Sequence, residues 1–189
     1  GNWLVVLRFF NRQPFGIADP VFHREVGFYV FSLPFLHLLQ GWLLGALIIT
    51  LLGSIAVYFF SYGVQRLKFD LSRSVLAHIG GLAITILGLF AWGYWLGIWE
   101  LVYSEQGVVF GASYTDMHAT LPAQWILLAV VLIFIGIILV SILRRNLRWP
   151  LYGIGVWIVA AIIIGGIFPS LVQRFQVEPS ELARETPYI

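Results

Sequence analysis

The chain has 189 residues, of which 60% are hydrophobic, 16% are aromatic and only 11% are charged; its net charge is +2 and it has no cysteine. Soluble globular proteins contain about 25% charged residues, so this composition excludes an ordinary soluble domain. The absence of cysteine excludes disulfides, thiolate metal sites and cysteine nucleophiles. The basic residues lie in short segments between apolar runs rather than on one patch, which argues against nucleic acid as a partner.

The first segment, residues 1–32, is too mixed in character to cross a bilayer. Residues 3–10 are apolar but short, which is typical of an interfacial segment or the tail of a truncated helix. Residues 19–32 mix charged with aromatic side chains, which predicts a segment lying along the outer membrane interface until Pro34 starts the first full span. The only methionine is Met117 and no signal peptide is visible, so we expect the chain to be part of a longer protein.

Four long apolar runs follow, and none of them contains Asp, Glu, Lys or Arg. A bilayer core about 30 Å thick needs about 20 apolar residues in a helix, and each run meets or approaches that length. The sequence therefore predicts an all-α, polytopic transmembrane bundle in which residues 33–168 supply about four spanning helices. The predicted spans are 33–62, 75–98, 123–143 and 151–168.

The charges of the connecting segments predict how the bundle faces. Basic residues gather in the first and third connections, whereas the second connection carries only acids. By the positive-inside rule, the basic connections are cytoplasmic, and both chain ends and the acidic loop are outside. Residues 169–189 are then an outer tail. The basic side chains are also candidates for holding anionic lipid headgroups: Arg66, Lys68, Arg73, Arg144, Arg145 and Arg148.

Several stretches have a specific pattern. They are DPVF at 19–22, VGFYVFSLPF at 26–35, YSEQGVVFGASYTDMH at 103–118, GGIFP at 165–169 and VQRFQVEP at 172–179. Together they resemble a family of large uncharacterised bacterial membrane proteins found in cyanobacteria, actinobacteria and other bacteria. The resemblance implies several N-terminal membrane helices followed by a large extracytoplasmic region, with this chain as the later part of the membrane region. The outer tail, 169–189, would then lead to an extracytoplasmic domain that is missing from this chain. It implies no catalytic residues.

The second connection is the richest in polar groups. Its candidate interaction residues are Glu105, Tyr114, Asp116 and His118. Carboxylate and imidazole groups in one loop are suited to a metal ion or to acid–base chemistry. No recognised ligand spacing, HExxH motif or nucleophile elbow occurs, however. We therefore favour a structured outer loop that docks a further domain, with no catalytic residue and no metal site.

Two histidines lie within the predicted spans. His37 is near the outer end of the first span and His78 is near the inner end of the second. Either imidazole can be the axial ligand of a pigment or haem cofactor. A bis-histidine haem needs both ligands at one depth, which these positions do not offer. The alternative is a hydrogen bond to a neighbouring helix, and this is the commoner role of such residues.

The sequence predicts a protein of the bacterial inner (plasma) membrane or a thylakoid-type membrane, without enzyme activity. Its partners are the lipid bilayer and either other membrane subunits or its own extracytoplasmic domain. Our leading hypothesis is a scaffold or accessory subunit. One alternative is a transporter or lipid-handling protein that uses helices outside this chain, since these spans contain no ionisable residue besides the two histidines. A second alternative is a pigment- or haem-binding subunit.

Overall fold

The structure, a computed structural model, is helical over most of the part that it describes, namely residues 2–64, 72–105, 111–144, 146 and 148–180. A short helix comes first, and four long helical segments follow. The α-helices are α1 (Trp3–Phe10), α2 (Leu33–Val64), α3 (Arg73–Glu100), α4 (Leu121–Arg144), α5 (Arg148–Ala160) and α6 (Phe168–Val172).

Four segments are long and apolar enough to cross a membrane: Phe28–Ser61, Arg73–Tyr103, Asp116–Arg144 and Arg148–Val177. The prediction of an all-α bundle with about four spanning helices is therefore confirmed. Within the described residues, the only β-type pairing is an isolated antiparallel bridge between Ala18 and Glu25.

The helical segments extend beyond the predicted spans, and each of three of them contains a wide π-helical turn. Such turns occur at Phe28–Ser32 before α2, at Asp116–Thr120 before α4 and at Ala161–Ile167 between α5 and α6. The last segment then continues through Gln173–Val177 and a 3₁₀ turn at Glu178–Ser180. Residues 28–32 and 169–180 are thus helical. The predicted interfacial position of 1–32 and outer position of 169–189 stay predictions.

Prolines account for the position of these turns. Pro34, Pro122 and Pro169 are each the second residue of an α-helix that directly follows a π turn. A proline inside a helix lacks an N–H donor, and its ring clashes with the carbonyl group four residues earlier. A local π turn shifts that carbonyl and lets the helix continue, as is common in membrane helices.

Helices α3 and α4 form the centre of the bundle, α2 packs on α3 and α5 packs on α4. The main core lies between α3 and α4 and consists of Leu87, Ala91, Val131, Phe134 and Ile138. A second cluster of Tyr29, Leu33 and Leu96 is surrounded by tryptophans. The antiparallel order gives the bundle two ends. We call them the Asp19 end, where α2 and α4 begin, and the Ser72 end, where α3 begins.

The Ser72 end has a conventional helix start. The Ser72 hydroxyl caps α3 by accepting a hydrogen bond from the backbone N–H of Val75 at 3.3 Å. This cap satisfies one of the N–H groups that have no partner in the first turn of a helix.

Candidate functional site

A buried carboxylate organises the Asp19 end. The Asp19 side chain is 5% exposed and accepts four hydrogen bonds of 2.7–2.8 Å. Three donors are the backbone N–H groups of Val21, Phe22 and Arg24, and the fourth is the hydroxyl of Tyr29. Burial by itself raises the pKa of Asp19, but the hydrogen bonds outweigh it, so the pKa of this carboxyl lies below its usual range. Asp19 therefore holds the hairpin before α2 on the bundle.

Arg24 connects this hairpin to α3. Its guanidinium lies 4.4 Å from the ring centroid of Trp99 and 4.9 Å from that of Phe28. Phe22 also meets the Trp99 ring edge-on, with centroids 5.3 Å apart. Cation–π contacts of this kind contribute about 0.5–2 kcal/mol. The sequence predicted that this region lies along the outer membrane interface. It indicated no role for Asp19 or Arg24, because the turn brings their partners together.

The first predicted cofactor ligand, His37, has an acidic neighbour on α3. Its Nε2 atom lies 3.0 Å from Oε1 of Glu100, at ion-pair distance but without hydrogen-bond geometry. Glu100 therefore lies beside one of the two imidazole nitrogens that can ligate a cofactor. No local pattern in the sequence pairs Glu100 with His37.

The second predicted cofactor ligand, His78, faces α2. Its Nδ1 atom and the Tyr58 hydroxyl are 2.9 Å apart, and the two rings meet edge-on. His37 and His78 lie at opposite ends of the bundle, as the sequence spacing indicated. A role for either histidine in binding a pigment stays a prediction.

Asp116 is not presented at the surface. It is 1% exposed, and its Oδ2 atom accepts hydrogen bonds from the backbone N–H of Ser113 at 3.0 Å and from the Ser113 hydroxyl at 2.7 Å. The π turn before α4 begins at Asp116. This carboxylate therefore stabilises the start of a helix. The sequence had instead suggested Asp116 as a residue that contacts a partner.

The other candidates in this connection do not converge with Asp116. The rings of Tyr114 and His118 stack with centroids 4.1 Å apart, and Nδ1 of His118 lies 3.1 Å from the backbone oxygen of Tyr114. Glu105 is exposed. In the ranges that the structure describes, no three His, Asp or Glu side chains are grouped closely enough to hold a metal ion. An interaction role for Glu105, Tyr114 and His118 stays a prediction.

A buried hydrogen bond joins this connection to the last helical segment. Thr115 is fully buried, and its hydroxyl donates to the side-chain carbonyl oxygen of Gln173. The start of α4 is thereby tied to the residues after α6. Both residues belong to the stretches that carried the family resemblance, and this was the only sequence signal for the contact.

Two glutamines fill the space beside glycines of α3. The Gln40 amide donates to the carbonyl oxygen of Leu89 at 2.8 Å and lies against Gly93, and the Gln124 amide lies against Gly97. Glycines at this spacing allow helix backbones to approach each other closely. The structure shows that side-chain amides occupy this space, so these glycines admit polar groups between helices.

The predicted lipid-binding cations lie at the Ser72 end. Arg73 begins α3, Arg144 ends α4 and Arg148 begins α5, and all three are exposed. Arg66, Lys68 and Arg145 are outside the described residues, so their predicted role is not tested. An anionic lipid role for the whole set stays a prediction.

A cavity of about 500 Å³ opens between the helices in the half of the bundle nearer the Ser72 end. All four long helical segments contribute to its walls, and nearly every lining side chain is apolar. Such a cavity falls within the range of about 300–1,000 Å³ that is usual for small-molecule pockets. The sequence offered no signal for it, since it arises from side chains on different helices.

Comparison with known sequences assigns the family. The profile of the Uncharacterised protein family (UPF0182) matches residues 1–189. The chain belongs to this family. Its members include the UPF0182 proteins of Frankia alni, Moorella thermoacetica and Trichodesmium erythraeum, to which the chain is 40%, 41% and 38% identical over 192, 198 and 191 residues. The resemblance inferred from the sequence motifs is confirmed.

The alignments with these three relatives cover 100%, 100% and 99% of this chain but only 19%, 21% and 21% of the relatives. The chain thus spans about a fifth of the length of the UPF0182 relatives that it matches. No solved structure matches the chain.

Proposed function

We propose that this UPF0182 segment is the membrane-embedded part of a non-enzymatic scaffold or accessory subunit that anchors an extracytoplasmic domain or a larger complex. The basic Ser72 end faces the cytoplasm in this proposal, and the Asp19 end faces outward. Internal hydrogen bonds support a fixed platform at the Asp19 end, since Asp19, Asp116 and Thr115 all bind groups of the same chain. In this proposal the bundle acts as a rigid surface for a partner and carries out no reaction.

The main support for this proposal is the face of α2 that points away from the rest of the bundle. Trp42 is 76% exposed and Ile49 is 73% exposed. Gly41 and Gly45 lie one turn apart, and a side chain at either position would project into open space. Small residues at this spacing allow another membrane helix to approach closely, whereas contact with lipid does not require them. The proposed occupant of this face is a membrane helix of a partner subunit.

Affinity purification of the full-length protein from mild detergent, with mass spectrometry, tests this contact. We expect the double substitution Gly41→Leu and Gly45→Leu to reduce the co-purifying partner about tenfold, since a change near 1.4 kcal/mol has this effect. Gly136→Leu on α4 is the matched control, because Gly136 also has open space around it. The scaffold proposal is wrong if the unmodified protein purifies alone and a deletion strain keeps normal levels of its membrane complexes.

A second candidate function, lipid handling, is favoured by the apolar cavity between the four helical segments. A lipid-handling protein needs an apolar compartment that shields acyl chains, and this cavity is the feature that can serve. We expect full-length protein reconstituted in vesicles to accelerate the transfer of fluorescent phosphatidylglycerol between vesicle populations. A transfer rate equal to that of protein-free vesicles would exclude this activity.

A further inference from the structure

We propose that the cavity between the four helical segments binds one acyl chain of an anionic bilayer phospholipid, whose phosphate group is held by arginines at the Ser72 end. The inference rests on the proposed insertion of the bundle in a membrane and deepens the lipid-handling candidate. It does not require transfer activity, because a lipid can be bound there as a permanent part of the bundle.

The walls of the cavity select an apolar occupant. Leu51 and Ile55 come from α2, Ala83 from α3, Phe134 from α4 and Ile154 from α5. A bound water molecule needs two to four polar partners, and an apolar cavity of this size instead accepts hydrocarbon. The cavity is not fully enclosed, so a chain can enter it without unfolding the bundle.

The polar side chains in the wall already have partners. The Ser141 hydroxyl donates to the carbonyl oxygen of Ile137 at 2.7 Å, and Nε1 of Trp157 donates to the Tyr94 hydroxyl at 3.2 Å. Neither group requires a ligand to satisfy it. The interior therefore discriminates by shape and hydrophobicity, and a headgroup must lie outside it.

Charge at the Ser72 end identifies the headgroup. The residues of α3 that line the cavity recur at helical spacing, at Leu76, Gly80, Ala83, Leu87 and Phe90. Arg73 precedes Leu76 by three residues, so it continues the same stripe one turn closer to the helix start. A guanidinium forms paired hydrogen bonds with phosphate oxygens. An acyl chain that fills the cavity thus places its phosphate toward this exposed cation.

Arg144 and Arg148 lie at the same end of the bundle, at the end of α4 and the start of α5. In the sequence, the two connections at this end contain six Lys and Arg residues and the single acid Asp70. Each basic residue near a membrane surface adds about 1 kcal/mol of attraction for anionic lipid. This balance favours phosphatidylglycerol over a zwitterionic lipid.

Photolabelling tests the acyl-chain site. Full-length protein is reconstituted in dioleoylphosphatidylcholine vesicles that contain a trace of phosphatidylglycerol with a diazirine on its acyl chain, and labelled residues are identified by mass spectrometry. We expect labels on cavity-lining residues of α3 and α5. Ala83→Phe fills the cavity and should reduce these labels about tenfold, an effect of the size that 1.4 kcal/mol produces.

Ala129→Phe is the matched control, because Ala129 lies exposed on α4 and does not line the cavity. It should leave the cavity labels unchanged, and thermal unfolding of both variants checks that each is folded. Equal cavity labelling in Ala83→Phe and in the unmodified protein would overturn the acyl-chain site.

Arg73→Gln tests the headgroup. In the unmodified protein, labelling by the phosphatidylglycerol probe should exceed labelling by the same diazirine on phosphatidylcholine. The substitution should reduce this preference and keep the labelled positions, and an unchanged preference would overturn the role of Arg73.

Extraction with alkaline carbonate separates the two proposals. A protein that carbonate releases contradicts membrane insertion, whereas an inserted protein without cavity labels contradicts only the lipid site.

Discussion

Asp19→Ala is expected to open the hairpin that precedes α2 and to let trypsin cleave after Arg24. The Arg24 side chain is exposed in the folded protein, but its carbonyl group is held by the backbone N–H of Asp19. The carboxylate accepts four hydrogen bonds, including that from the Tyr29 hydroxyl, and it is buried. Leaving such donors without an acceptor costs about 1–3 kcal/mol and more where a charged group is removed, so we expect a local destabilisation of about 3 kcal/mol. Tryptic cleavage after Arg24 in the solubilised full-length protein measures it.

When opening is fast relative to cleavage, the cleavage rate follows the population of the open form. A local destabilisation of about 3 kcal/mol then accelerates cleavage about a hundredfold. Tyr29→Phe removes one of the four hydrogen bonds, so its effect should be smaller. Asp19→Asn should be intermediate, since an amide keeps one acceptor oxygen. Glu105→Ala, which removes an exposed carboxylate, is the control for charge. Cleavage of Asp19→Ala at the control rate would contradict the structural role of Asp19.

The same carboxylate makes the hairpin sensitive to acid. The pKa of Asp19 is lowered in the folded protein, so its ionised form contributes fully above the unfolded value of about 3.9. This contribution is lost as the pH falls below that value and through the lowered pKa of the folded state. Thermal unfolding in detergent should therefore show an acid-induced loss of stability that is smaller in Asp19→Ala.

The spans were predictable because they depend on composition alone. Runs such as 75–98 and 123–143 contain no charged residue, and a bilayer leaves such a run few structures other than a helix. Their ends were less predictable. The sequence pattern placed the start of the first span at Pro34, but the π turn at Phe28–Ser32 carries the helix back through residues with mixed side chains.

Within the candidate site, the sequence could predict where a residue lies along its helix, but not which residues of other helices it contacts. His37 and His78 were correctly placed at opposite ends, since their depth follows from the spans. Their partners, Glu100 and Tyr58, lie on neighbouring helices, and no local pattern identifies them. The burial of Asp116 was likewise missed, because an acid in a connection is ordinarily exposed.

The cavity could not be predicted from the sequence, because its walls are formed by residues from different helices. Leu51, Ala83, Phe134 and Ile154 are separated by tens of residues, and each is an ordinary membrane-helix residue. A gap between helices depends on the sizes of facing side chains, which periodicity does not reveal. Conversely, the family resemblance came from motifs in the second connection and near the ends of the helical segments, such as 26–35 and 172–179, where the composition is more specific.

Gly153→Ala is expected to destabilise the packing of α5 on α4. A Cβ atom on Gly153 would overlap Cε2 and Cδ2 of the Phe134 ring, which is 4% exposed in the main core. Overpacking of a core costs about 1–3 kcal/mol, and the better helix propensity of alanine offsets up to about 1 kcal/mol of this. The overlap with several ring atoms places the cost at the upper end of this range, so we expect a net loss of about 2 kcal/mol in thermal or denaturant unfolding of the solubilised protein.

Gly155→Ala separates this contact from the general effect of alanine in a helix. Gly155 is on the same helix, but a Cβ atom there would project into open space. This substitution should therefore be neutral or stabilising. Phe134→Leu removes ring atoms from the contact, and in that background Gly153→Ala should cost much less than in the unmodified protein. Such coupling is the signature of two residues that share one space. Additive effects of the two substitutions would mean that α5 does not pack on α4 through Gly153.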